Sequence, residues 1–494
     1  MPETDVERRA REAFLAGDPI ELADSESIRG ERVANWCKAA WRSGPNASLI
    51  VRGGRIEGDL VLDYVRTDAS IDLRNVKTGV LRLRRTTLYR LILTGCVVQR
   101  IEAAGLKAGG SVDLNGGFRS NERVRLVGAV IEGSLDAPGA EFGRSPEDRV
   151  KKKSALVLDG ARVEGNVVLR DVKATGPIRG RKLRVGGSLR CSGVMTELDM
   201  RGADVGGDGN FFKCDIAGDA DLRDSNFAGS VSLHWSKIGT EMHMQRCAIG
   251  GTLKLGVVTV GGPSVSLSAA SVGRSLAVRE IRPAGTGGLT IRLLGLSVGR
   301  LEDERGSWPA RQADSLHLDG LSIGSMDVDG PRVDERIEWL MRNARWSPQP
   351  WRELGSVLLR AGHAKDAQRL AIERENERTR RSDLPWLARA GREVLRVTIG
   401  YGYRPMYTLR WACGIVAVAA VAFVWADFRS KSGAPESSTI LYSLDAFVPV
   451  DLGYFGAWTP TDAGWSAVAV FEAASGWLLG ALLLGAATGL LKKD

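Results

Sequence analysis

The residues of this 494-residue chain that could do chemistry lie mostly in its last hundred. Glu472 stands at the edge of an apolar run, Ala473–Leu491, which Trp465–Phe471 precedes. A carboxyl group inside a membrane is costly and marks an ion or proton path, whereas one at the interface stays hydrated. With Trp465 and Trp477 beside it, Glu472 is expected at the interface. Gly476/Gly480 and Gly485/Gly489 form two GxxxG pairs. Nine helical residues turn the second pair roughly half a circle from the first. One face could pack on a neighbouring helix and the other on a second subunit, or the glycines could be small-residue filler. Thr398-Ile-Gly-Tyr-Gly402 copies the T-x-G-Y-G pattern of potassium filters. A filter lies between two spans so that its carbonyls line a pore. This copy precedes both apolar runs, so it is expected to be a glycine-broken joint. Tyr442–Pro460, between the runs, is apolar enough to dip into a bilayer but lacks a filter signature, and a structured outer loop is expected there.

Enzymatic chemistry finds little to work with. The four histidines are His234, His243, His317 and His363, and no HExxH, GxSxG or P-loop motif occurs. No GxGxxG follows a strand, so no catalytic, cofactor or metal residue is expected. The six cysteines show no CxxC spacing, which fits a reducing compartment. The charged N-terminus has no apolar h-region, so no signal peptide is expected.

The stretch from Ile56 to Val328 must position whatever else the chain does. In fives from Ile71, apolar pairs recur: Ile71/Leu73, Val76/Thr78, Leu81/Leu83, Thr86/Leu88, Leu91/Leu93, Cys96/Val98, Ile101/Ala103 and Leu106/Ala108. Each pair shares one side of a strand. Odd spacing between pairs would flip the face of a flat strand, so a corner must separate them. Later the step alternates between five and six, as in Ala220/Leu222, Ser225/Phe227, Val231/Leu233 and Ser236/Ile238. Such self-similarity marks a solenoid of roughly 20–22 residues per coil. Gly229, Gly239, Gly251 and Gly273 are expected at corners with positive φ. Gly116–Arg123, Phe142–Ser154 and Leu301–Ala313 lack pairs and are expected to be surface loops. These repeats resemble the pentapeptide-repeat family, which implies a right-handed parallel β-helix over more than half the chain. That fold is a scaffold and does not by itself imply a function.

Net charge is +9. A basic chain argues against the acidic DNA mimicry known in that family. Arg82, Arg84, Arg85, Arg90 and Arg100 are expected as solvated outward positions. Without interleaved aromatics they make nucleic acid an unlikely partner.

Four segments follow. Residues 1–45 are expected to be a helical N-terminal cap, covering an open sheet edge. Residues 46–330 form the β-helix. Residues 331–405 are a helical cap, in which Trp351, Leu354, Gly355, Leu358, Gly362 and Ala367 resemble one tetratricopeptide helix pair, followed by a basic amphipathic helix, Trp386–Val397, suited to a membrane interface. Residues 406–494 hold a transmembrane hairpin, about 406–426 and 465–491. Trp411, Trp425 and Trp465, with Arg404, Arg410, Lys492 and Lys493, read as interface anchors. Basic residues outside both ends and acids between them place the termini and the solenoid in the cytoplasm.

This layout resembles bacterial inner-membrane proteins labelled membrane-associated oxidoreductases, which implies a redox activity for which no site is visible. The residues favour a non-enzymatic protein, a β-solenoid anchored in the bilayer that acts as a scaffold for a protein partner or self-association. An oligomeric channel with the solenoid as gate is the alternative.

Overall fold

The computed structural model describes residues 3–43, 47–144, 153–309, 315–327, 332–383, 385–404, 406–431, 438–450 and 452–488. They fall into two compact units, Met1–Glu353 and Leu354–Asp494. The first is a parallel β-solenoid of about 12 turns over residues 49–326. Ile71 lies beside Leu91 and Leu73 beside Leu93, a coil of 20 residues. Val231 lies beside Leu253, a coil of 22. Four steps of the apolar pairs therefore make one coil. Ile71, Leu73, Leu81, Leu83, Leu91, Leu93, Cys96 and Val98 are all buried along the axis. Each aliphatic side chain so buried contributes roughly 1.5–3 kcal/mol.

Several inward polar groups are satisfied by the preceding coil. Thr86 Oγ1 donates to the Leu62 carbonyl (2.6 Å), Ser225 Oγ to Met200 (2.8 Å) and Ser236 Oγ to Phe211 (2.7 Å). These three hydroxyls can occupy the core because each finds an acceptor, whereas the inward Thr78 hydroxyl has none among the described residues. Cys247 Sγ does the same toward Leu222 (2.8 Å). Burial pushes the Cys96 thiol up to about 11, in keeping with its place as a small core side chain.

The corners differ from the expectation. Gly229, Gly239, Gly251 and Gly273 do not have positive φ; the left-handed corners include Gly202, Asp224, Arg246, Ala269 and Gly295. Gly239 serves closeness instead, since a Cβ there would collide with the Ala217 carbonyl oxygen of the neighbouring coil. Two expected loops also belong to the coils. Arg119–Ser120 pairs with Val97–Val98 on one side and Glu141–Phe142 on the other. Leu301–Asp303 ends the strand Ser297–Asp303. The inward pairs there, Phe118/Ser120 and Leu301/Asp303, each end on a polar residue, which hid the pattern. Phe142–Ser154 is a true insertion: it falls in a coil lengthened to 32 residues, Leu135 to Val167, and its centre, like residues 310–313, lies outside the described residues.

Helices close both ends. At the N-terminal end α1 (Asp5–Ala16) and α2 (Gly30–Ser43) are joined by strands Ile20–Glu21 and Ser27–Arg29, which pair with Val51–Arg52 and Arg55–Glu57. The sheet thus starts inside the segment expected to be wholly helical. Glu7 of α1 is buried. It accepts from Arg29 Nε (2.7 Å), from Arg29 Nη2 (2.6 Å) and from the Thr4 amide (3.0 Å). The Arg29 bond, foremost, holds its carboxyl down at about 2. A depressed acid stabilises the fold above its unfolded value and loses that contribution as pH falls through the folded one. The shift corresponds to about 3 kcal/mol. We therefore expect Glu7→Gln to lower the denaturant midpoint at neutral pH. The difference from wild type should close as the pH drops from about 5 toward about 2. A difference independent of pH would contradict this.

At the other end, α3 (Val333–Met341) and the start of α4 (Gln349–Arg360) cover the last coil. Side chains take the place of the next strand. Asn343 Oδ1 accepts from the Leu318 amide (3.0 Å), Gln349 Oε1 from Gly320 (2.9 Å) and Glu353 Oε1 from Ile323 (2.8 Å). An edge so occupied cannot template another chain. Arg336 Nη1 and Nη2 reach Asp303 at 2.8 and 2.5 Å, and Trp308 Nε1 donates to the same carboxylate at 2.6 Å.

The second unit contains α5 (Ala364–Arg381), α6 (Trp386–Ile399), α7 (Met406–Ala422), α8 (Thr439–Phe447) and α9 (Ala463–Ala487). Gly362 turns α4 into α5 with φ +84°, and Ala367 and Leu370 are buried. Two stretches, Met406–Trp425 and Ala463–Gly485, are long and apolar enough to cross a membrane.

Candidate functional site

The site is the three-helix group of the second unit. α7 is almost wholly apolar because it carries Ala, Val, Ile and Cys on all sides, and α9 is apolar over more than six turns. Such helices have no single buried face. Between them, Ser438 caps a third helix, its side chain accepting from the Leu441 amide (3.3 Å). That helix, α8, packs on both α7 and α9. Aromatic rings lock the loop-side end. Tyr442 lies 5.2 Å from Phe423, 4.8 Å from Phe428 and 5.6 Å from Phe455, centroid to centroid. Strand Phe428–Ser430 pairs antiparallel with Trp458–Pro460 and closes the loop.

Polar contacts fix how far α8 reaches. Ser443 Oγ donates to the Val416 carbonyl of α7 (3.0 Å) and is also hydrogen-bonded to Glu472 Oε1 of α9. Val416 is nine residues from Trp425, and Glu472 is nine from Ala463. Both therefore lie about 14 Å from the loop-side ends of their helices. One turn further along α8, the Phe447 carbonyl rests against Gly476, where any Cβ would collide with it. Gly476 is thirteen residues from Ala463, about 20 Å along α9. Two independent contacts thus show α8 running inward from the loop side, with its C-terminal end deepest. Asp445 then fixes the returning chain. Its Oδ1 accepts from the Leu452 amide (2.6 Å), and its Oδ2 from Tyr454 (2.7 Å) and Phe455 (2.6 Å).

Glu472 is therefore not a hydrated edge residue. It is 1% exposed, and its Oε2 has no hydrogen-bond partner among the described residues. Tyr442–Pro460 is likewise not simply an outer loop. Its first part is a helix inserted between the two apolar ones. Gly476 is brought against α8 rather than against α7, while nothing stands within 4 Å of a Cβ at Gly480. Gly485 is partly exposed, and Gly489, Lys492 and Lys493 lie outside the described residues.

The anchors divide. Trp425 is exposed; Trp411 is exposed too, and its indole donates to the Val397 carbonyl (3.1 Å). Trp465 packs into the aromatic cluster instead, 6.4 Å from Phe423. Arg404 donates to the Tyr407 hydroxyl (2.7 Å), and Arg410 lies 5.0 Å over the Tyr407 ring. Gly400, Tyr401 and Gly402 form a left-handed turn between α6 and α7, so the T-x-G-Y-G copy is a joint. The contacts made by Ser443, Asp445 and Phe447 escaped the sequence reading. Their one signal was a serine and an acid two residues apart within the otherwise apolar run Ile440–Phe447.

On the solenoid, Arg82 and Arg84 share Asp63, Arg90 meets Asp113, and Arg100 meets Glu122. Most of that arginine cluster is matched by acids on its own surface. Comparison of the chain with protein-family models, with curated proteins and with solved structures finds no match.

Proposed function

We propose that the chain is an integral protein of the bacterial inner membrane whose second unit is an ion-permeable module, assembled from several copies. The solenoid serves it as a cytoplasmic interaction platform. One observation carries the reading: a short helix enters between two span-length apolar helices and ends about 20 Å in. Backbone that is neither helix nor closed sheet is tolerated at such depth only inside protein or along water. The chain after Phe447 is of that kind, and Pro449, Val450 and Leu452 are exposed in a single copy. Further copies around a water-filled axis would enclose them. The C-terminal end of α8, pointing inward, carries the negative pole of its dipole and favours a cation. Glu472 adds a buried carboxyl on the same level as Ser443. The platform role is supported by Phe212 and Trp235, exposed large aromatics flanking His234, to whose ring Phe212 stacks at 6.1 Å. Nothing in this reading requires a catalytic step.

The test is monovalent-cation flux from liposomes holding the full chain, beside empty liposomes and liposomes given a chain without Met406–Asp494. Flux from the full chain alone is expected. Absence of flux from a full chain verified in the bilayer would refute the module.

A further inference from the structure

We infer that the second unit binds the phosphodiester headgroup of an anionic phospholipid in a cavity between α5 and α6. The inference rests on the membrane reading above and adds a site to it. The cavity holds about 790 Å³ and is walled by Arg380, Arg389, Arg396, Asn376, Trp386 and Tyr401. The guanidinium of Arg389 has no partner among the described residues. Arg396 pairs with Glu393, the one acid in the wall, and Arg380 meets Glu377 only at 3.6 Å. A fourth guanidinium, Arg392, donates to Thr379 Oγ1 (2.9 Å) at the edge of the cavity. Arginines of this density, with one acid in the wall, make a site for a phosphate.

Two features select a lipid over a free phosphate. The first is the disposition of α6. Trp386, Leu387, Val394 and Val397 are 75%, 65%, 49% and 42% exposed. At about 100° per residue they form one stripe, and Arg389 and Arg396 lie on its flank. A helix whose apolar stripe enters a bilayer surface holds that flank at headgroup level. The second is the junction with α7. The Trp411 indole on the Val397 carbonyl ties the end of α6 to the first turns of a helix able to span. Tyr401, in the turn between them, hydrogen-bonds to Asn376 of α5 (3.3 Å) and so joins both walls of the cavity to that junction. Basic pockets at this level recognise anionic headgroups.

The experiment uses the full chain in phosphatidylcholine vesicles containing a minor fraction of phosphatidylglycerol. Lipid retained on the protein is then measured by native mass spectrometry. Several-fold enrichment of phosphatidylglycerol over the bulk ratio is expected for wild type. The variant Arg389→Gln/Arg396→Gln should fall to the bulk ratio while still floating with the vesicles. Soluble glycerol phosphate in excess should not displace the lipid. Equal enrichment in the variant, or displacement by glycerol phosphate, would overturn the inference and leave the membrane reading intact. A chain that does not float with vesicles of either composition would overturn both.

Discussion

Arg336→Leu is expected to destabilise the solenoid by about 3–5 kcal/mol, as breaking a buried ion pair does. Asp303 is wholly enclosed, and two of its three described donor contacts come from the Arg336 guanidinium. Removing Arg336 leaves a carboxylate with the Trp308 indole alone. The cost is the stranded charge and not the worth of the pair. The double variant Asp303→Leu/Arg336→Leu should therefore recover most of the loss. Trp308 and Trp339, 5.7 Å apart, report on this corner by fluorescence during denaturant unfolding. A loss below about 1 kcal/mol would mean that the carboxylate finds water when Arg336 is gone. The wider consequence is that the buried Arg336–Asp303 pair ties α3 to the end of the solenoid alongside the buried side chains of Ile337, Trp339 and Leu340. Fraying of the solenoid should then begin at this end in Arg336→Leu.

Gly476→Val is expected to abolish cation flux and to broaden the oligomer on size exclusion. Gly480→Ala, one turn along the same helix, should leave both near wild type. The contrast follows from contact. A branched side chain at Gly476 must displace the Phe447 carbonyl and with it the inner end of α8, whereas the position of a Cβ at Gly480 is open. Overpacking of a tight contact costs typically 1–3 kcal/mol, and here the contact is with backbone, which cannot rotate away. Wild-type flux and a sharp oligomer in Gly476→Val would show that α8 need not sit at this depth for the module to work.

How much of this was legible varies with the range of the interaction. The pairs from Ile71/Leu73 to Leu106/Ala108 state the coil outright, because each coil repeats a local pattern. Corner chemistry was not legible. Asp224 and Arg246 adopt positive φ, while Gly229, Gly239, Gly251 and Gly273, expected to do so, do not. The strand-replacing groups Asn343, Gln349 and Glu353 stand 25 to 30 residues from the amides they serve. Their roles exist only once the helices are docked. The same holds for the candidate site. Two apolar stretches announce themselves by length, but Ser443 meets Val416 at a separation of 27 residues and Glu472 at 29. Position within a run suggested an interfacial Glu472; a third helix, unseen in the hydropathy, buries it.

The most direct measurement is the depth of α8 in a bilayer. A fluorophore on Leu444→Cys, in a chain carrying Cys413→Ala, would be quenched by nitroxides at known positions along lipid tails, beside a label on Trp425→Cys. The account predicts that Leu444 lies roughly 14 Å deeper than Trp425, toward the bilayer centre. Equal depths at the headgroups would contradict it and return Tyr442–Pro460 to an outer loop.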